Sequence, residues 1–187
     1  MSYNNWRDGL HDGPVCLALP DGVAAAAVLV VVTADDAPHV ILTKRSAHLK
    51  KHAGQISFAG GRVDEDDESL VATAMREAHE EIGLASDDVT ICGFLPDMLT
   101  GTGYRITPIV AQSYLSCAAL QAKLQASPDE VDEILYAPIS LLLVADNYDS
   151  FLREDENVTW RSWRVGFGDH FIWGATAAIL HHWSRAL

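Results

Sequence analysis

Residues 23–32 form the longest unbroken apolar run of the chain. It is too short to span a bilayer. Its valines suit a central strand covered on both faces. Residues 39–43 are also rich in β-formers, and Asp35, Asp36 and Pro38 separate the two runs, so a hairpin is predicted. Residues 55–58, 89–95, 106–114 and 134–137 read as further strands. Residues 151–153 and 158–165 read as a second hairpin around the acidic turn 154–157. Val71, Ala74, Met75, Ala78 and Ile82 recur at helical spacing. Asp66, Asp67 and Ser69 are acceptable caps, and Gly83 suits a left-handed stop, which predicts a helix from about 67–69 to 83. Ser140 is expected to cap a short helix at 141–144, and residues 172–186 to form a last packed helix. Residues 44–61 keep no period and read as a loop ending in a turn at Gly60 and Gly61; residues 96–105 read as a glycine-rich loop and 128–133 as an acidic turn. Residues 1–22, broken by Gly9, Gly13, Pro14, Pro20 and Gly22, read as an irregular lead-in with one short strand at 15–19. Mixed strands with two or three helices predict a single-domain α/β sandwich.

Composition narrows the function classes. The formal charge of −13 disfavours non-specific nucleic-acid binding and attraction to anionic membranes. Yet five of the thirteen lysines and arginines (Lys44, Arg45, Lys50, Lys51 and Arg62) fall within residues 44–62. That local reversal of sign suits an anionic ligand. The three cysteines, Cys16, Cys92 and Cys117, lack metal-type spacing and read as reduced, mostly buried thiols. The first residues show no secretory pattern, so a cytoplasmic location is expected.

The chemistry concentrates just after the basic stretch. Glu77, Glu80 and Glu81 share a helix face at i, i+3 and i+4. Carboxylates so grouped repel one another unless a cation sits among them, and hard divalent cations take oxygen ligands together with substrate phosphates. The bland alternative is a solvated acidic face. Arg76, four residues before Glu80, would orient it. A calcium loop is the weakest reading, because residues 64–68 lack the alternating Asp/Asn positions, central glycine and terminal glutamate of one. His48, His52 and His79 have no convincing zinc spacing and read as exposed. Trp160, Trp163 and Trp173 read as core or dimer contacts.

Together, Gly61, Asp67 or Glu68, Arg76, Glu77, Glu80, Glu81, Gly83 and Leu84 resemble the Nudix box, Gly-x5-Glu-x7-Arg-Glu-U-x-Glu-Glu-x-Gly-U. REAHEEIGL fits every fixed position except Ala78, which is small for U. The first half carries one residue too many, and the early acidic position falls to Asp67 or to Glu68. Residues 42–61 resemble the signature upstream of the box in coenzyme A pyrophosphatases, LLTxRSx3Rx3GxVxFPGG. Leu42, Thr43, Arg45, Ser46, Gly54, Phe58, Gly60 and Gly61 match. Ile41, Lys50, Ile56 and Ala59 replace Leu, Arg, Val and Pro, and Lys50 lacks the planar fork of arginine. Residues 102–111 and 172–180 are similar to further stretches of that subfamily, so the resemblance covers roughly residues 24–180.

The resemblance implies a Nudix-type α/β/α sandwich with a mixed sheet over residues 23–187. It implies hydrolysis of coenzyme A, or a derivative, to 3′,5′-ADP and 4′-phosphopantetheine with Mg²⁺ or Mn²⁺. Glu77 and Glu81 would be the main metal ligands, with Glu80 and the Gly61 carbonyl contributing. The general base would be Glu77, Glu130 or Glu133. Arg45, Lys50, Lys51 and Arg62 would receive substrate phosphates, and Tyr104 would contact substrate. The partner would be a small molecule, not nucleic acid or membrane, and a homodimer is compatible. Another nucleoside diphosphate derivative such as ADP-ribose or NADH, or binding without catalysis, are the alternatives.

Overall fold

A computed structural model describes residues 5–15, 22–49, 53–155 and 158–187. Most of the strand expected at 15–19, the turn residues 156 and 157, and Cys16, Lys50, Lys51 and His52 lie outside the described residues.

Strand β1 (Ala24–Val32) is the axis of an eight-stranded mixed sheet. It runs parallel to β7 (Tyr104–Ser113) from Ala24↔Tyr104 to Val32↔Gln112. At its start it also pairs antiparallel with β4 (Ala59–Arg62). The predicted hairpin partner, β2 (His39–Arg45), meets it only at Val32↔Val40. Most of β2 pairs instead with β8 (Val131–Pro138) and β3 (Ile56–Ser57). Strands β5 (Val89–Phe94) and β6 (Met98–Leu99) lie antiparallel on β7.

Side-chain alternation along β1 explains its all-apolar sequence. Ala27, Leu29 and Val31 join one core with helix α1 (Leu70–Ile82) and with Leu120 of α2 (Cys117–Lys123). Val30 and Val32 join the other, with Ile179, Leu180 and Trp183 of α4 (Ala175–Ala186). A strand buried on both faces has no room for polar alternation. The α4 face also carries a three-stranded antiparallel sheet of β9 (Asp149–Asp155), β10 (Val158–Phe167) and β11 (His170–Trp173). A single turn, α3 (Ile139–Leu142), follows β8.

Several local expectations are corrected. Gly60 and Gly61 lie inside β4 and make no turn. The loop at 96–105 contains β6, and Tyr104 and Arg105 already belong to β7. The acidic turn ends at residue 130, because β8 starts at Val131. The short helix begins at Ile139 without a side-chain cap from Ser140. The last helix starts only at Ala175, because Gly174, at φ 71°, ends β11 before it. Helix α2 was not expected: only Leu120 and Leu124 of that stretch are buried, too few to show a period. Cys92 and Cys117 are free but only half-buried.

The lead-in is packed, not loose. Trp6 is buried in the α4-side core, and its carbonyl accepts from the Trp183 indole at 3.0 Å. Among the described residues no helix is long and apolar enough to cross a membrane.

Candidate active site

Helix α1 begins and ends at its caps. The Ser69 hydroxyl accepts from the Ala72 N–H at 3.1 Å. Gly83, at φ 69°, turns the chain so that the Leu84 N–H reaches the Ala78 carbonyl. The buried stripe Ala74, Ala78 and Ile82 holds the helix against β1 and β4. That packing sets the Glu77 carboxylate directly over Gly61: a Cβ there would stand 2.6 Å from Glu77 Oε2. Gly60, at φ 155°, is equally constrained, since a Cβ would lie 2.6 Å from the Val28 Cα. The two glycines exist to let a strand and a carboxylate approach.

Arg76 organises the acids around it. Its Nε and Nη2 donate to both oxygens of Asp67 at 3.1 and 3.0 Å. Its Nη1 donates to Glu77 at 2.9 Å and to Glu80 at 3.1 Å, and Nη2 also reaches the Arg62 carbonyl. Asp67 further accepts from Thr73 and from the Asp64 N–H. It is therefore Asp67 that occupies the early acidic position, while Glu68 is exposed. The Arg76 guanidinium holds Asp67 well below the usual carboxylate range, and Asp67 in turn raises Arg76 above its own.

Glu81 has the opposite environment. It is 5% exposed, its Oε2 is buried without a hydrogen-bond partner, and burial pushes it up to about 8. Repulsion from Glu77 and Glu130 adds to the burial, while Arg45 and the Gly60 N–H oppose it. Glu77 is raised chiefly by burial, which its bond to Arg76 partly offsets. Glu130 comes to this cluster through the loop after α2. The Ser127 N–H donates to the Glu81 carbonyl at 2.8 Å, and the Glu130 carbonyl accepts from Ser46 at 2.8 Å.

Glu77 and Glu81 thus lie within electrostatic reach of each other and of Glu130, with Arg45 acting on Glu81 and Gly61 against Glu77, and with Arg76 and Glu80 toward the exposed edge. The other expected residues sit elsewhere. Glu133 faces β11, where His170 lies 3.8 Å away. Tyr104 is exposed at the start of β7, with its N–H donating to the Thr100 hydroxyl. Arg62 is exposed at the end of β4. His48 and His79 are exposed. Sequence reading also passed over a buried network: the Asp97 carboxylate accepts from Thr107 at 2.6 Å and lies 3.4 Å from Arg105 Nε. Its only trace in the chain is an aspartate beside Pro96.

Among the described residues no three Asp, Glu, His or Cys side chains converge into a finished metal-ligand set. The donors nevertheless fit a hard divalent cation. A buried carboxylate oxygen lacks a hydrogen-bond partner, and the charges of two more acids bear on it.

Comparison with known proteins places this site in context. The NUDIX domain model matches residues 23–154. The chain is 38% identical over 158 residues to the uncharacterized Nudix hydrolase NudL of Escherichia coli (strain SMS-3-5 / SECEC), covering 83% of this chain and 78% of that protein. Among solved structures, it is similar in fold to the Nudix hydrolase RenU of M. smegmatis, with TM-score 0.50 and 20% identity over 66% of this chain and 74% of that one. It is also similar to a C. elegans Ap4A hydrolase, with TM-score 0.50 and 20% identity over 63% and 82% of the two chains.

Proposed function

The chain belongs to the Nudix hydrolase family, and from that premise we propose that it hydrolyses the diphosphate bond of coenzyme A or its derivatives. The products are 3′,5′-ADP and 4′-phosphopantetheine, acylated or free. The observation that carries the reading is the Glu77 carboxylate seated on Gly61 beside the buried, unpartnered Glu81, with the charges of Glu130 and Arg45 bearing on Glu81. The choice of coenzyme A is supported by the match of residues 42–61 to the coenzyme A pyrophosphatase signature.

Glu77 and Glu81, with the Gly61 carbonyl and a contribution from Glu80, would hold Mg²⁺ or Mn²⁺. When bound, such a cation neutralises phosphate charge and makes water more acidic. Arg76 is a positioning residue. It fixes the orientation of Glu77 and Glu80 and is itself fixed by Asp67. We assign the general base to Glu130, whose charge bears on Glu77 and Glu81, while Glu133 faces another sheet. Arg45 stands where a substrate phosphate would meet positive charge close to Glu81. Positioning and charge compensation supply most of the acceleration in phosphoryl transfer, and these residues provide both.

The test is mass identification of products from coenzyme A hydrolysed in ¹⁸O-water, with ADP-ribose and NADH compared at equal concentration. The reading expects phosphopantetheine, one ¹⁸O on one of the two phosphates, and a clear preference for coenzyme A. Preference for ADP-ribose overturns the substrate. Saturable binding without hydrolysis under either metal overturns the activity.

A further inference from the structure

A cleft of about 370 Å³ opens on the α4 face of the sheet, between the three-stranded sheet and the hairpin that joins β6 to β7. Trp160 and Trp173 line it, together with Arg153, Arg161, Gln55 and Thr100. The three tryptophans of the small sheet were expected to behave alike, and they do not. Trp163 packs into the core, stacked on His181 at 3.7 Å. Trp160 and Trp173 instead keep part of their surface in the cleft. The Arg153 guanidinium lies 5.7 Å from the Trp160 ring centre and 5.0 Å from that of Trp173. The guanidinium sits over both indoles, and the cation and the two aromatic rings together make a wall of the kind against which nucleobases pack. In a chain of formal charge −13, two arginines at one cleft also favour an anionic occupant.

The cleft is joined to the glutamate site in two ways. Met98, Ile106, Ala26 and Arg62 are successive partners across β6, β7, β1 and β4. Paired side chains share a face, so Arg62 lies on the cleft side of the sheet while its neighbour Gly61 lies under Glu77. Three strand spacings separate Met98 from Arg62, about 14 Å. Gln55 is the second link. Its carbonyl accepts from the Arg45 N–H at 2.9 Å, and its side-chain amide packs against Gly174 at the cleft wall.

We propose that this cleft is the nucleoside subsite of the enzyme, where a purine nucleotide stacks against Trp160, Arg153 and Trp173 while its diphosphate reaches across the sheet end to Glu77 and Glu81. The proposal rests on the diphosphatase reading for its substrate, but the binding step it describes needs no metal and no turnover.

The full chain in EDTA is titrated calorimetrically with adenosine 3′,5′-bisphosphate and, separately, with 4′-phosphopantetheine. The wild type is expected to bind the bisphosphate saturably. Arg153→Gln and Trp160→Leu should each weaken that binding by about tenfold or more. Arg164→Gln should not, although its guanidinium also lies over aromatic rings, those of Phe151 and Phe171. Arg153 is exposed, so its replacement reports on the cleft and not on folding, and circular dichroism verifies this for both variants. In turnover, Trp160→Leu should raise KM with kcat kept within about twofold. Failure of the wild type to bind the bisphosphate, or equal binding by Arg153→Gln and Trp160→Leu, overturns the subsite. Binding of phosphopantetheine that is lost in Arg153→Gln also overturns it, by giving the cleft to the other half of the substrate. Absence of hydrolysis with cleft binding intact removes the diphosphatase reading and leaves the subsite standing.

Discussion

Asp67 and Glu68 are neighbours in the chain, yet Asp67 alone meets the Arg76 fork. Its carboxylate titrates below the ordinary value of 3.8, first because of that hydrogen bond. As the pH falls, the unfolded chain therefore takes the proton before the folded one does. The stability that Asp67 supplies is whole above about pH 4 and is lost progressively below it. Asp67→Asn is expected to lower the Tm by several degrees at pH 7 and by less and less toward pH 2, whereas Glu68→Gln leaves it nearly unchanged. Melting curves of both variants across that range decide the matter. Glu81 carries the opposite sign. Burial pushes it up from 4.5 to about 8, so the folded state holds the proton more tightly and stability falls as the pH rises between those values. In EDTA, Glu81→Gln is expected to stabilise the fold at pH 9 by about 1–3 kcal/mol and to change nothing at pH 4. Equal melting at pH 9 would contradict the burial assigned to this carboxylate.

At the scale of elements, α1 was legible because its signals are local. The Ser69 cap, the Gly83 stop and the 3.6-residue stripe all lie within the helix and its borders. β4 was not legible, because Gly-Gly signals a turn until one knows what occupies the space beside it. Here that space holds the β1 backbone and the Glu77 carboxylate, both supplied by distant parts of the chain. The same holds for the early acid of the box, since the spacing of residues 61–76 allowed two candidates and the fold of 62–67 around Arg76 chose between them. The two glycines separate experimentally. A methyl at Gly60 strikes backbone, which cannot move cheaply, and Gly60→Ala should cost about 3 kcal/mol or more. A methyl at Gly61 strikes a side chain that can turn aside, so Gly61→Ala should cost about 1–2 kcal/mol yet cut turnover by about a hundredfold through the displaced Glu77. Urea denaturation beside steady-state turnover separates these outcomes; unaltered turnover in Gly61→Ala would show that Glu77 does not need its seat.

For the whole molecule, the core extends on both sides of the segment that the family model matches. Glycine and proline break the lead-in, and the family model matches only residues 23–154. Yet Trp6, Val165, Ile172, Ala177, Leu180 and Trp183 share one buried cluster with β1 and β2. The rings of Trp6 and Trp183 meet edge to face, their centres 6.4 Å apart, and Trp183 is 1% exposed. No local pattern announces such a pairing, because its partners are 177 residues apart. The two ends of the chain therefore close the α4 layer together, and that layer also forms a wall of the cleft through Ala175 and Ala178. Trp183→Ala is expected to cost about 3–5 kcal/mol, as a large cavity in a packed core does. Trp183→Phe keeps most of the burial and loses the bond to the Trp6 carbonyl, for about 1 kcal/mol. If the ends act as one unit, Trp6→Ala and Trp183→Ala will be strongly non-additive in a double-mutant cycle, with a coupling of about 1 kcal/mol or more. Strict additivity in guanidinium unfolding would mean that the lead-in and α4 are stabilised independently, and that the closure of the layer by both termini is only spatial.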